Sequence, residues 1–460
     1  MDANDRLLNL LERLIKQGNQ HQFNLLFHKY HEADIAEALG GLPVERKISF
    51  FSRILTDKTV DIFEEMDVES QMAIIQKFKV ENAAQLIEKM DKDDGVDLLE
   101  ALLDQDEPKA QDILSKMDVQ DQIELNRLLN YPEGSAGALM TTAFVSIPER
   151  LTVQDALSMY RTLAPIEHDA SFHLFIVNQH QQIQGVISLR KLLLANPDKR
   201  IKDIRNNNPI TVHVNTDQED VARVFQKYRS IILPVVDDLG IVLGVITIDD
   251  VVDVVVEEAS EDMLKLSGAS GDIHSNKLLD GPIGYALGHR LPWLFVTIIG
   301  GMAASFIMLF YSERLSAGQM ALPFILSFVP LLMGLGGNIG NQSATIVVRA
   351  LAMGQMASSI KTIGREVALG GLIGATIGGV VGGAVFLMAH SFAMALCIGL
   401  AIFLNMTVAT CLGSSLPVVL NQFNIDPAVA SAPFISTALD VIGQVIYFSL
   451  AVVIFNLLLW

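Results

Sequence analysis

The chain has 460 residues, 33 Lys and Arg against 52 Asp and Glu, a formal charge of −19 and two cysteines. An isoelectric point near 4.9 argues against a nucleic-acid binder, which needs a basic face to displace counterions, and two cysteines cannot make a disulfide framework. A mean hydropathy of +0.38 beside that charge fits two unlike materials joined end to end. From Arg290 onward only nine of 171 residues are charged, with a net of +1, so the first 289 carry −20. The opening Met1-Asp2-Ala3-Asn4-Asp5 lacks the basic segment and apolar run of a signal peptide.

Residues 1–130 read as helical and repetitive. Leu42-Pro43-Val44-Glu45, Met66-Asp67-Val68-Glu69, Met90-Asp91-Lys92-Asp93 and Met117-Asp118-Val119-Gln120 recur at steps of 24, 24 and 27. Each should end one helix at the Met or Leu and start the next at the acid or Pro. A helix pair of this size cannot bury its apolar face alone, so the copies should stack into a small α-helical solenoid. A plain helical bundle is the alternative. Tyr131-Pro132-Glu133-Gly134 then marks a break, and the apolar period changes from 3.6 to 2.

A second repeat follows. Phe144 to Arg161 aligns on Val212 to Arg229, and Gly185-Val186-Ile187-Ser188 on Gly244-Val245-Ile246-Thr247, each copy reading strand, helix, strand, turn, strand, helix. The first copy carries nine extra residues between helix and strand. Leu139-Met140-Thr141 and Gly244 to Asp250 resemble a tandem pair of α/β CBS regulatory modules. What the resemblance implies is an adenosine nucleotide, ATP as a regulatory ligand, held by Thr247 and Asp250. The equivalent Ser188 and Lys191 depart from the pattern, because Lys191 cannot accept a ribose hydroxyl.

The connecting segment starts as the helix at Val251 and turns acidic at Glu257, Glu258, Glu261 and Asp262. Gly268, Gly271 and Gly281 break it before an amphipathic stretch from Ile283 to Leu287. Five apolar runs follow at 291–311, 321–348, 367–389, 392–420 and 428–459, each long enough to cross a bilayer. Arg290, Arg349, Lys361 and Arg365 fall on the side of the acidic front and only Arg314 on the other. A multi-pass protein of the cell (inner) membrane is expected, with a cytosolic N-terminus and an extracytoplasmic C-terminus.

Three constellations carry chemistry. Asp440 is the lone charge of the last span, about 18 Å in from Ala428 at 1.5 Å per residue. An acid there costs about 2.5–3.5 kcal/mol on insertion scales and normally faces water or a partner. A bridge to a membrane Arg or an inert protonated acid are the bland readings, and no Lys or Arg lies mid-span. The second constellation, Gly334 to Ser343, is dense enough in glycine to predict an opened helix, with Asn338, Asn341 and Gln342 offering oxygens. Gly370, Gly374, Gly378 and Gly382 instead read as a packing stripe. Oxygen-only donors and few carboxylates suit a hydrated Mg2+, and a twofold dimer would double them. The third is the acidic front: Asp93, Asp97, Asp217, Glu219, Asp250, Asp253, Glu258, Glu261 and Asp262. Singly these read as solvated. Together their repulsion makes a divalent cation a lock between domains.

The whole arrangement resembles the MgtE family of magnesium channels and transporters, most specifically at Gly336-Gly337-Asn338-Ile339-Gly340-Asn341-Gln342, Asp426-Pro427-Ala428 and Asp440. The expected fold is a multidomain membrane protein: helical-repeat domain 1–130, CBS modules 139–200 and 201–258, connecting or plug helix 259–289, and five-helix transmembrane domain 290–460. The resemblance implies a homodimer in the lipid bilayer, a pore on the dimer axis lined by the second and fifth spans, and Asp440 as its ion-binding acid. It implies Mg2+ uptake closed by cytosolic Mg2+ on the nine front acids. Arg229 stands where the family pattern shows an acid, and a permanent charge pair is expected there. The alternatives are a CBS-regulated carrier of another divalent ion (Co2+, Mn2+) or another solute, and a non-transporting membrane sensor of Mg2+ or nucleotide. No nucleophile–base pair or phosphate loop suggests an enzyme.

Overall fold

The structure is a computed structural model that describes all residues except 1–2, 18–19, 55, 164–171, 270–277, 279–282, 316–321, 353–358, 424, 431 and 459–460. The expected breaks at Gly271 and Gly281 lie outside the described residues. The chain divides into two compact units, Met1–Val254 and Val255–Trp460.

Among the described residues the first unit opens with the helices α1 (Ala3–Gln17), α2 (Gln20–Phe27), α3 (Glu32–Gly40), α4 (Val44–Arg53), α5 (Asp57–Glu64), α6 (Val68–Ile75), α7 (Val80–Lys89), α8 (Lys92–Lys116) and α9 (Val119–Leu128). Four of their boundaries fall at the predicted motif. Leu42, Met66, Met90 and Met117 are buried, and Pro43, Asp67, Asp91 and Asp118 stand at the following N-caps with extended backbone. Asp67 and Asp118 accept from backbone N–H groups of the next turn, which satisfies donors the helix start leaves open. The stacking is itself repeated. Glu64 accepts from the Asp91 N–H at 2.7 Å and Glu88 from the Asp118 N–H at 2.6 Å, one repeat further along.

Two three-stranded sheets follow. In the first, β1 (Val145–Pro148), helix α10 (Val153–Leu163), β2 (His173–Val177), β3 (Ile183–Ser188), α11 (Leu189–Leu194) and α12 (Ile201–Ile204) run in order. The second has β4 (Val212–His213), α13 (Gln218–Tyr228), β5 (Ile232–Val236), β6 (Val242–Thr247) and α14 (Ile248–Leu266). Strand order is β1-β2-β3 and β4-β5-β6, the first pair of each parallel and the second antiparallel, with a register shift at the same place, Ile176/Val177 and Val235/Val236. The open edges are covered crosswise. Thr141 pairs with Val245 on β6, and Asn206 with Val186 on β3. The segment that opens the first copy therefore lies on the sheet of the second. Gly244 permits this, since a Cβ there would sit 2.7 Å from the Thr141 carbonyl.

The second unit holds α15 (Ile283–Leu315), α16 (Leu322–Ser327), α17 (Val329–Ala352), α18 (Ser359–Ala389), α19 (Phe392–Gln422), a 3-10 turn at Pro427–Val429, and α20 (Ala432–Leu458). All five expected spans are present, the first and third beginning earlier than predicted, at Ile283 and Ile360. The predicted opening at Gly334 to Ser343 is not: α17 runs unbroken through it. The break lies at Phe328, two residues before Pro330, whose ring and missing N–H prevent α16 from continuing. The glycines serve approach instead. Gly340 faces Gly413 of α19, and a Cβ at Gly337 would meet Ser436 of α20 at 3.4 Å. The Gly370 to Gly382 stripe of α18 packs against α19 as expected, with Gly382 against the Ala395 carbonyl and Gly378 against Gly399.

Candidate ion path and acidic cluster

The candidate ion-path residues are placed by α17, α19 and α20. On α20, Ser436, Asp440 and Gln444 recur every fourth residue and share one face. Asn341 of α17 donates its Nδ2–H to Ser436 Oγ at 3.1 Å, one turn before Asp440, and Gln444 Nε2 approaches Met333 Sδ of α17 at 3.5 Å. Asp440 is half-buried, while Asn338 and Gln342, one turn apart on α17, are exposed. The single chain thus presents amide side chains on the outside of a membrane-spanning helix, where lipid cannot satisfy them.

Sequence reasoning missed Asn405 and Glu366. Asn405 of α19 is 1% exposed and donates to the Leu332 carbonyl at 2.9 Å. Gly336 and Gly443 flank it, so one amide touches both α17 and α20. Glu366 of α18 is buried and accepts from Ser343 at 2.9 Å, two residues past Asn341. The oxygens Asn341 Oδ1, Asn405 Oδ1 and Gln444 Oε1 are buried without a hydrogen-bond partner among the described residues. A polar residue within an apolar run was the available signal for Asn405. Nothing local marks its two neighbours.

In the first unit, α8 begins with Asp93 and Asp94, and α14 brings Asp250 toward them. Burial, then Asp250, Asp94 and Asp91, hold the Asp93 carboxyl well above the usual range. Burial, then Glu64 and Asp97, push Asp94 up to about 8, and burial pushes Glu64 up to about 7. Asp250 is raised as well, chiefly by burial. Asp93 Oδ1 is buried with no hydrogen-bond partner among the described residues. The charges acting most on Asp93 are all acids. As they stand, no three acid, His or Cys side chains among the described residues converge to ligating distance.

Other expected ligands have occupations of their own. Asp217 caps α13 by accepting from the Glu219 N–H at 2.9 Å, and Glu219 pairs with Arg223 at 2.6 Å. Asp253 is exposed on α14, with Glu258, Glu261 and Asp262 half-buried further along it. Glu261 is bridged by Lys265. Arg229 makes no ion pair among the described residues. It ends α13 in a left-handed conformation, φ +50°, while Arg223, earlier on α13, pairs with Glu219 and Asp220 of the same helix. Thr247 donates to Asp250 at 2.5 Å, so these two satisfy each other. A cavity of about 460 Å3 lies in the first module, lined by Ser188, Arg190, Lys191, Leu194, Ala195 and Ile204.

A helical-repeat region, paired CBS modules and five apolar spans define a multi-pass membrane protein. The chain belongs to the MgtE family: the MgtE divalent cation transporter model matches residues 329–450, the MgtE intracellular N domain 30–134, and the CBS domain 136–198 and 201–257. It is 34% identical over 354 residues to the magnesium transporter MgtE of Thermus thermophilus, covering 76% of this chain and 77% of that one. It is 32% identical over 340 residues to that of Bacillus subtilis, covering 74% and 73%. Among solved structures it is similar to the soluble part of a magnesium transporter, with 30% identity and a TM-score of 0.52 over 56% of this chain and 99% of that one. It is also similar to the cytosolic domain of the Mg2+ channel MgtE in complex with ATP, with 28% identity and a TM-score of 0.50 over 54% and 99%.

Proposed function

We propose that this protein carries Mg2+ into the cell as a homodimer, through a path between α17 and α20, and that cytosolic Mg2+ closes it. The observation that carries the reading is the intramembrane stripe Ser436, Asp440 and Gln444 beside Asn341, with Asn338 and Gln342 exposed on the same α17. A second copy across a twofold axis would cover those amides and bring two Asp440 carboxylates together. Mg2+ gives up its waters reluctantly, so a few carboxylates and amide oxygens that hold its hydration shell suit it. Membership in the MgtE family supports the substrate. The nucleus of the sensor is Asp93, Asp94 and Asp250. Mg2+ between these acids would relieve their repulsion and favour the closed state. The basic distribution near the span ends supports a cytosolic N-terminus and an extracytoplasmic C-terminus. The ATP complex of a similar cytosolic domain supports ATP as a regulatory ligand.

The test is Mg2+ flux in proteoliposomes, with Mg2+ set separately on each side and Co2+, Mn2+ and Ca2+ as competitors. Flux that falls as Mg2+ rises on the soluble-domain side is expected. An absence of Mg2+ flux in the parent protein would return the reading to a membrane sensor.

A further inference from the structure

Helix α18 has two unlike faces. Glu366, Gly370, Gly374 and Gly378 recur every fourth residue and are buried, Glu366 on Ser343 of α17 and the glycines on α19. The other face begins with Lys361 and Arg365, four residues apart and exposed. It continues through Leu369, Leu372 and Val380, which are 41%, 68% and 69% exposed. Neither cation makes an ion pair or a side-chain hydrogen bond among the described residues. The only acid between Arg349 and His390 is Glu366, and its place on the packed face keeps it from neutralising them. The membrane span of α18 starts at Ile360, so Lys361 and Arg365 stand in its first two turns, where a span meets lipid headgroups. Long basic side chains there lay their stems on apolar surface and keep their charge at the interface. From Lys361 to Leu372 is about 16 Å of helix, close to the depth of one leaflet of a ~30 Å hydrocarbon core.

We propose that this face of α18 binds an anionic phospholipid, with the headgroup phosphate between Lys361 and Arg365 and an acyl chain along Leu369 and Leu372. Charge and hydropathy change along the face in the same order as along such a lipid. A phosphate offers two oxygens to the guanidinium and a counter-charge to the ammonium. A zwitterionic lipid brings its own cation and gains less from the pair. A second copy seated through the same face across a twofold axis would set these cations against their own counterparts, with no acid of that face to meet them. Binding here does not depend on the transport reading. It adds to the stability of the membrane unit, because the ligand is held by the folded helix.

The experiment uses the full-length protein in a nonionic detergent and counts bound phosphatidylglycerol or phosphatidylcholine by native mass spectrometry over a lipid titration. At about fivefold per basic residue, the two cations should favour phosphatidylglycerol about 25-fold. Lys361→Gln combined with Arg365→Gln should bring phosphatidylglycerol down to the level of phosphatidylcholine. Lys361→Arg should stay within about twofold of the parent, since it keeps the charge. Phosphatidylglycerol should also raise the melting temperature of the parent and not that of the double variant. Equal retention of phosphatidylglycerol by the parent and the double variant overturns the proposal. Displacement of the lipid by an equal concentration of glycerol 3-phosphate overturns it too, since the site would then take a free phosphate. A double variant altered in oligomeric state with its lipid count unchanged would assign the face to a second copy, and the proposal would fall.

Discussion

The Asn405 amide of α19 donates to the Leu332 carbonyl of α17 at 2.9 Å while its carbonyl end lies against Gly443 of α20. One side chain thus touches both helices that carry the candidate ion-path residues. Asn405→Ala should cost about 1 kcal/mol for the lost interhelical bond, and flux should fall with it, because α17 and α20 lose a shared reference. Thermal unfolding in detergent together with Mg2+ flux checks both effects. A variant with parental stability and parental flux would refute the role.

Asp440→Ala and Asp440→Asn should both reduce Mg2+ flux to background while the protein still inserts into the membrane. The Asn variant keeps the shape of the side chain, so its failure would isolate the charge. Full transport by Asp440→Asn would mean that hydrogen bonding alone serves at this position.

The raised acids of the first unit give a pH dependence of known sign. Asp94 at about 8 and Glu64 at about 7 lie above their unfolded values, with Asp93 and Asp250 shifted in the same direction. Folding therefore takes up protons. The stability is fully present below the usual carboxylate range and is lost as pH rises through 7 and 8. Added Mg2+ should restore more at pH 8 than at pH 5, because it replaces the missing protons and binds the folded form. Melting curves across pH with and without Mg2+ decide it; a melting temperature that climbs steadily to pH 8 without divalent ion contradicts the assignment.

Neutralising Asp250, Asp253, Glu258, Glu261 and Asp262 together should leave transport open at high Mg2+. Protease protection is the complementary readout, and the same Mg2+ dependence in this variant and the parent would count against sensing by these acids.

Gly378→Leu should destabilise the membrane unit by about 1–3 kcal/mol, the usual cost of overpacking, since Gly378 lies against the backbone of Gly399. The exposed Gly379 next to it has no neighbour on that side, so Gly379→Leu should be nearly silent. Equal effects in the two variants, measured by thermal unfolding in detergent, would remove the distinction between packed and lipid-facing glycines.

What the sequence made legible was periodic. The Leu42, Met66, Met90 and Met117 motifs located the helix boundaries of the array, and the five hydropathy runs located the spans. The paired Gly185 and Gly244 marked the two sheets. Contacts between distant residues had no such signature. Ser343 with Glu366, Asn405 with Leu332 and Lys265 with Asp426 each join separate helices, and none is implied by its own neighbours in the chain. The glycine run misled because glycine density is compatible with an opened helix and with a tightly packed one. Only the facing residues, Gly413, Asn405 and Ser436, distinguish the two. Among the acids, Asp93 and Asp250 were named, whereas Asp94 and Glu64 emerged from burial, which composition does not report.

Thr141 on β6 and Asn206 on β3 give the two CBS modules a shared fate. Each sheet is finished by a strip of backbone that belongs, in chain order, to the opening of the other copy. A single module cut out at its repeat boundary would expose a bare row of N–H and C=O groups along β3 or β6, an invitation to any extended peptide nearby. The two modules are therefore less two beads on a string than an interlocked pair, each lending backbone to the other's sheet.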